Sequence, residues 1–546
     1  MQKQLKRLYF SGFCLILLIT GIDIFLHYDA HGTSWDEQFH YNYGDLKLQY
    51  YESLIQGADT SHYFSDTGSN NYPGLFDIVM ALFRHATNMD PYKAGHLCVA
   101  ISGLLAIIGS WCLGVKLGGY RAGFFAALFL VLTPRFYGHM WFNIKDVPFA
   151  VSYIWAIFFT IRAIEDLPAL PLRKFIPAAI ATGFALGIRP AALLVICYLG
   201  AIFALDLLRR YQKDKPFGTT MRSAGRYLLY GIGFYVIAVI AMLPWWPYAH
   251  RNPLFVPIEA LLNLHAFPFE APVLFMGQYF TPQNLPWSYL LTWIGITTPL
   301  PILFLWIAAI ISGLGMGFRH LRSKDAKLTN RELQLIFLGL SFVFPIAYAV
   351  VTQPDLYDGL RQMLFILPVG IVIAALTLEG ILLQIKNSLV RFAIGLGFVG
   401  ASCILILPSY FQLHPYQYIY FNETIGGLPG AFNRFDTEYY GLSYKESADQ
   451  LNAATLNAPP DGRIKLAISG APWLIERYLD ERFILTKETD EAEIYVSYLR
   501  WGQQAKVDGY IFGYVERMGI PLNIIVARSE ELIVQEDPNP NSDTNE

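Results

Sequence analysis

Residues 8–45 read LYFSGFCLILLITGIDIFLHYDAHGTSWDEQFHYNYGD. The first part, residues 8–26, is an apolar run of about 20 residues, the length that crosses a bilayer. Lys3, Lys6 and Arg7 precede it, Asp23 interrupts its far end, and no Ala-x-Ala cleavage site follows. It therefore reads as an uncleaved first span rather than a signal peptide. Just beyond it, within 31–45, stand two adjacent carboxylates, Asp36 and Glu37, with Trp35 before them and His40, Tyr41 and Tyr43 after. Acids, a histidine and aromatics beside a span suit either a wet interfacial loop with an aromatic belt or the edge of a catalytic site.

Outward from this stretch the chain has the composition of a multi-span membrane protein. Of 546 residues, 54% are hydrophobic and 15% charged, where soluble domains run near a quarter charged. The net charge of −3 supplies no basic field and excludes nucleic acid as a partner. Cys14, Cys98, Cys112, Cys197 and Cys403 all lie in apolar runs without metal-ligand spacing and read as packing residues. The expected fold is an all-α polytopic membrane domain over 1–411, with about 11 spans in a range of 10–13. They fall at 8–26, 94–115, 120–138, 147–164, 175–189, 191–208, 226–246, 288–316, 334–351, 363–384 and 392–411. The 175–208 region is one broken passage or two short ones. Arg189-Pro190 favours the break, because proline cannot continue the helical ladder and a mid-membrane charge costs roughly 2.5–3.5 kcal/mol.

Charge then orients the chain. With a cytoplasmic N-terminus, the cytoplasmic segments are 1–7, 116–119, 165–174, 209–225, 317–333 and 385–391. Two are plainly basic: one holds Arg209, Arg210, Lys213, Lys215 and Arg222, the other Arg319, Arg322, Lys324, Lys327 and Arg331. The unusual polar groups all fall on the other side, each beside a span end. They are Asp36-Glu37, Asn143-x-Lys145-Asp146, Arg189, His250-Arg251 and Asp355 through Arg361. Such convergence favours a site over scattered loop charge. The outer loops are expected to carry amphipathic interfacial helices at 46–56 and 72–85, and an apolar segment within 247–287 that rests among lipid headgroups.

These residues carry a family resemblance. Trp35-Asp36-Glu37, FNIKDVPFA at 142–150, GIRP at 187–190, YDGLRQMLFILP at 357–368 and the stretch 420–452 are similar to the GT-C glycosyltransferases of the family 39 branch. That branch includes the protein O-mannosyltransferases and the lipid A aminoarabinose transferases. The resemblance implies inverting transfer of a sugar from a polyprenyl-phosphate donor to a glycan, lipid or protein acceptor. It places the enzyme in a bacterial inner membrane, acting at the periplasmic face. Such a reaction needs a carboxylate to take the acceptor's proton and cations to stabilise the departing phosphate. Asp36 is the expected general base and Asp146 the second acid near the anomeric carbon. Lys145, Arg189 and Arg361 are expected at the phosphate, with Glu37, His40, Arg251 and Asp358 among the binding residues. No cofactor is required; Glu37 and His40 are the pair a divalent metal would use.

Residues 412–455 read as a juxtamembrane connector. A small α/β outer domain is expected over 456–535, with strands in RIKLAIS, EIYVSYL and GIPLNIIVARSE and a helix in ERYLDERF. Residues 536–546 read as a disordered tail. Two other functions compete: a transporter or lipid flippase, whose charges would lie deep within several spans, and a non-catalytic protein keeping the GT-C scaffold.

Overall fold

The structure is a computed structural model that describes residues 2–64, 72–211, 217–263, 270–322, 328–457 and 462–533. Lys213, Lys215, Lys324, Lys327 and the tail 536–546 lie outside them. The apolar runs become helices. α1 (Gln2–His27) leads into α2 (Glu37–Ile55) and α3 (Leu75–Thr87), then α4 (Pro91–Gly118), α5 (Tyr120–Val131) and α6 (Pro134–His139). After these come α7 (Asp146–Ile164), α8 (Leu172–Leu186), α9 (Leu194–Tyr211), α10 (Phe217–Met242) and α11 (Val256–Leu262). A hairpin of β1 (Val273–Phe275) and β2 (Gln278–Phe280) precedes α12 (Tyr289–Thr297), α13 (Leu300–Arg322), α14 (Asn330–Thr352), α15 (Ile366–Leu383) and α16 (Ser388–Gln412).

Among the described residues, nine helices are long and apolar enough to cross a membrane, and the protein is a multi-pass membrane protein. The remaining expected spans are met by shorter pieces. The span expected at 120–138 divides into α5 and α6 and the one at 175–189 is the 15-residue α8, while the span at 288–316 gives a short α12 before the long α13. At the α5–α6 and α12–α13 breaks, the residue before a proline, Thr133 or Thr298, is extended, as the proline ring demands of its predecessor. The segment 175–208 breaks at Arg189, which is itself extended ahead of Pro190. Burial ranks the helices. Of the apolar windows, 72% is buried in α7 and 67% in α15, against 17% in α1 and in α16, so α7 and α15 form the centre. Close approach between helices uses glycine: a Cβ on Gly183 in α8 would stand 2.3 Å from the Ala238 carbonyl of α10.

The helix ends sort by chemistry. At one end, Lys116 Nζ lies 2.5 Å from Glu165 Oε1, Arg209 Nη1 donates to the Leu328 carbonyl at 2.8 Å, and Asn330 Nδ2 donates to the Glu165 carbonyl at 2.8 Å. Segments expected to share one side of the membrane therefore touch one another. The candidate site residues gather at the other ends of α4 and α7.

Beyond α16, α17 (Gly427–Ala431) and α18 (Tyr444–Ala453) lead to a five-stranded sheet of β3 (Ile464–Ile468), β4 (Phe483–Leu485), β5 (Ile494–Tyr498), β6 (Tyr510–Arg517) and β7 (Ile520–Ala527). Its order is β4-β3-β5-β7-β6, with β3 parallel to β4 and β5 and β7 antiparallel to β5 and β6. Tyr444, Ala448 and Leu451 of α18, placed in the connector by the sequence reading, pack into the core of this sheet with Leu466, Val496 and Ile525. ERYLDERF forms a 3-10 turn at Glu476–Tyr478 and then β4, not a helix. An eight-residue segment with its apolar Phe483 at the open edge of β3 gains more from strand pairing than from an isolated helix.

The sheet unit rests on the loops that join α1 to α2 and α3 to α4. Trp35 N donates to the Tyr440 carbonyl at 3.1 Å, and Arg477 Nη2 meets Asp90 Oδ1 at 2.7 Å. Gly32 is the tightest point: a Cβ there would stand 2.1 Å from the Leu442 carbonyl oxygen. Gly32→Val should therefore loosen this seam, lowering the thermal midpoint of the purified protein and exposing the 430–445 region to protease; an unchanged proteolytic pattern would contradict the packing.

Candidate functional site

The site is assembled where the α1–α2 loop, the α6–α7 turn, the α8–α9 break, the α14–α15 loop and the sheet unit meet. Each contribution has a local cause. Asp36 is the residue before α2, so its side chain projects from the helix start. In the α14–α15 loop, Asp358 and Gly359 both have left-handed backbone, φ +54° and +67°, the pairing that Asp-Gly tolerates best. This tight turn sends Asp358 and Arg361 inward, and Gly359 N donates to the Tyr289 hydroxyl at 3.0 Å. Asn143 holds the start of α7: its Oδ1 accepts from Asp146 N at 2.9 Å and from Lys145 N at 3.3 Å.

Arg361 lies at the centre. Its Nη1 is 3.0 Å from Asp36 Oδ2 and 3.4 Å from Asp358 Oδ2, and its guanidinium stands over the rings of Tyr357 and Tyr440. Burial disfavours its charge, but Asp36, Tyr440 and Asp358 more than restore it and hold it above its ordinary pKa. Asp146 is hydrogen-bonded to Arg189 and accepts from Asn143 Nδ2 at 2.9 Å, which also reaches the Tyr440 hydroxyl at 2.9 Å. Lys145 Nζ donates to the Pro73 carbonyl at 3.3 Å and faces the Tyr72 ring. Burial lowers its pKa against the pull of Asp77. Thus Asp36, Lys145, Asp146, Arg189, Asp358 and Arg361, distant in sequence, share one cluster.

Exposure separates the carboxylates. The Asp36 side chain is 36% exposed, whereas those of Asp146, Asp358 and Glu37 are 4%, 5% and 0% exposed. Asp146, expected as a second acid at the anomeric carbon, spends its oxygens on Arg189 and Asn143. Glu37, expected to bind substrate, is turned inward: it accepts from Ser34 N at 2.5 Å and the Tyr41 hydroxyl at 2.6 Å, with His96 Nε2 at 2.9 Å. It orders the start of α2. His40 instead meets Asp77 Oδ1 at 2.8 Å, so Glu37 and His40 face separate partners. Arg251 is exposed, over the Tyr248 ring, apart from the cluster.

Other residues enter from tertiary structure alone. Lys47 and Asp77, 3.9 Å apart, are both nearly fully buried beside His40. Burial opposes the charge on Asp77, but His40 and Lys145 outweigh it and hold its pKa at about 2. A small aromatic cleft opens beside Lys47, lined also by Tyr43, Tyr50, Tyr63, Phe64 and Tyr248. Arg135 is buried against Trp293 and Phe421 and donates to the Tyr420 carbonyl at 3.1 Å. From the sheet unit, Arg500 reaches Asp358 Oδ1 at 2.5 Å and Asp436 Oδ1 at 3.3 Å. No local signal marked Arg500; it follows a strand that reads as ordinary core.

Residues 73–247, which include Lys145, Asp146 and Arg189, match the family described as dolichyl-phosphate-mannose-protein mannosyltransferase. No curated protein matches the chain. Among solved structures, the chain is similar to ArnT from Cupriavidus metallidurans bound to undecaprenyl phosphate, at 14% identity and a TM-score of 0.48, covering 96% of this chain and 99% of that one. The oligosaccharyltransferase of Archaeoglobus fulgidus in the apo form has 13% identity and a TM-score of 0.48, over 89% of this chain and 65% of that one. The mycobacterial arabinofuranosyltransferase AftD has 14% identity and a TM-score of 0.38, over 96% and 40%. The resemblance to protein mannosyltransferases read from the motifs is met, over residues 73–247, by the family match.

The wall behind the site carries a titrating acid. Glu438 accepts from Gly441 N and Leu442 N, each at 3.0 Å, and from the Tyr418 hydroxyl, yet burial pushes its pKa up to about 7. A carboxyl whose folded pKa is raised adds stability that is whole below its unfolded pKa and is lost as pH rises through the folded one. His139, lowered to about 3 by burial and by Arg135, acts in the opposite direction, so the informative quantity is a difference. The thermal midpoint of Glu438→Gln relative to the parent should rise progressively from pH 5 to pH 8; a pH-independent difference would contradict the assignment.

Proposed function

We propose that the protein is an inverting glycosyltransferase that moves a sugar from a polyprenyl-phosphate donor to an acceptor at the outer, periplasmic face of a bacterial inner membrane. In this reading the N-terminus is cytoplasmic and the sheet unit periplasmic. The observation that carries it is Asp36, a partly open carboxylate 3.0 Å from Arg361 at the mouth of a cluster rich in shielded cations. The family match to enzymes named for a dolichyl-phosphate sugar donor supports the same substrate class.

The chemistry follows from charge flow. An acceptor hydroxyl or amine gives its proton to Asp36 as its oxygen or nitrogen bonds to the anomeric carbon. The bond from that carbon to the phosphate oxygen breaks, and the phosphate leaves with the electron pair. Arg361, Arg189 and Lys145 are the cations within the cluster for that developing charge, and fixed donors in a shielded site act more strongly than in water. Arg361 Nε and Arg189 Nε are buried donors without a hydrogen-bond acceptor among the described residues, leaving each guanidinium an N–H to offer. Asp146 aims Arg189.

Asp36→Asn keeps the shape and removes the base. Sugar transfer from a polyprenyl-phosphate donor in proteoliposomes should fall about 10²–10⁴-fold, the usual worth of general-base catalysis. Membrane insertion should be unchanged, and envelope glycans analysed by mass spectrometry should lose the product seen with the parent protein. Full transfer by the variant would sink the proposal; flux of lipid across the bilayer without covalent transfer would favour a flippase.

A further inference from the structure

We infer that Arg500, supplied by the C-terminal sheet unit, is a positioning residue that keeps the Arg361 guanidinium available to an anionic ligand. This rests on the reading of Arg361 as a phosphate-binding cation and extends the site into a domain whose sequence carries no site motif.

The geometry is a run of alternating charge. Asp436 faces Arg500 Nε at 3.3 Å, Arg500 Nη2 faces Asp358 Oδ1 at 2.5 Å, the other oxygen of Asp358 lies 3.4 Å from Arg361 Nη1, and the same Nη1 lies 3.0 Å from Asp36. Asp358, Arg500 and Asp436 are almost fully buried, with side chains 5%, 5% and 2% exposed. Arg500 is held firmly. Trp501, with left-handed backbone at φ +58°, places its ring 4.4 Å from the guanidinium. That ring's Nε1 is in turn anchored on the Pro272 carbonyl at 2.7 Å.

The consequence concerns how Asp358 distributes its charge. A buried carboxylate interacts strongly with whatever cation it faces, because little water screens it. Asp358 divides its two oxygens between Arg500 and Arg361. If Arg500 were absent, Asp358 and Asp36 would together oppose the single charge of Arg361, and a phosphate would meet a neutralised site. With Arg500 present, its charge is shared between Asp358 and Asp436, so Asp358 draws less on Arg361 and Arg361 keeps more of its attraction for an anion. Docking of the sheet unit and anion binding are therefore coupled.

The test uses the full-length protein in lipid nanodiscs and undecaprenyl phosphate as the probe. Arg500→Met should bind it about tenfold more weakly or worse, within the usual range of coupling between sites, and Arg500→Lys should fall between the two. Adding Asp358→Asn to Arg500→Met removes the unopposed carboxylate and should return affinity toward that of the parent. A residue that only docks the domain would leave the double variant no better than the single one, and that result overturns the inference. If Arg500→Met does not give a monodisperse folded protein, the double variant carries the test alone: near-parental affinity supports the inference, and a loss of tenfold or more overturns it. Arg361→Ala separates the two levels. If it retains full binding, the phosphate reading itself fails. If it abolishes binding while Arg500→Met binds like the parent, only the role of Arg500 fails.

Discussion

The Arg361 guanidinium, held between Asp36 and Asp358 over two tyrosine rings, is the constraint to which the site conforms. A buried charge is tolerated only when paired and hydrogen-bonded, and removing one partner of such a pair typically costs about 3–5 kcal/mol. Each partner here comes from a different part of the chain. Asp36 belongs to the α1–α2 loop, Asp358 to the α14–α15 loop that carries Arg361 itself and Tyr440 to the stretch after α17, while Arg500 of the sheet unit joins through Asp358. Satisfying one guanidinium therefore fixes where all four segments stand.

The membrane explains why this concentration is possible. Ionisable groups inside hydrocarbon are expensive, so they accumulate at helix ends. At one set of ends, Lys116, Glu165, Arg209 and Asn330 make an ordinary polar surface. At the other, the loops fold over the helix termini and shield the charges from water as well. Shielding makes each ion pair stronger, and it leaves Asp36 as the carboxylate that still faces outward. Two carboxylates one residue apart thus have opposite fates. Glu37 is closed off by Ser34, Tyr41 and His96, while Asp36, one residue earlier and outside the helix, meets Arg361.

Much of the architecture was legible in the sequence because hydrophobic length and basic asymmetry report directly on a bilayer. The break at Arg189-Pro190, the α3 helix after Pro73-Gly74 and the strands at 464–468 and 494–498 followed from local rules. So did the grouping of Asp36, Lys145, Asp146, Arg189 and Arg361 on one side. What local rules missed had a common cause. ERYLDERF gave up its helical spacing for a 3-10 turn that delivers Phe483 to β3, and α18 joined a core formed by residues far downstream. Arg251, read as a binding residue because of its charge and its neighbours, is exposed, its guanidinium over the Tyr248 ring.

By itself the sequence determined a polytopic helical membrane domain, a small C-terminal α/β unit and the set of ionisable residues at the span ends. These depend on nearest-neighbour spacing and on the cost of placing charge in lipid, both of which act along the chain. Only the tertiary structure decided which of those residues pair. It joined Asp36 to Arg361, Asp146 to Arg189 and Asp358 to Arg500, turned Glu37 and His40 to separate structural partners, and brought the sheet unit into the site. Pairing is settled by distances of about 3 Å between side chains hundreds of residues apart, which hydrogen-bonding geometry fixes and no local pattern encodes.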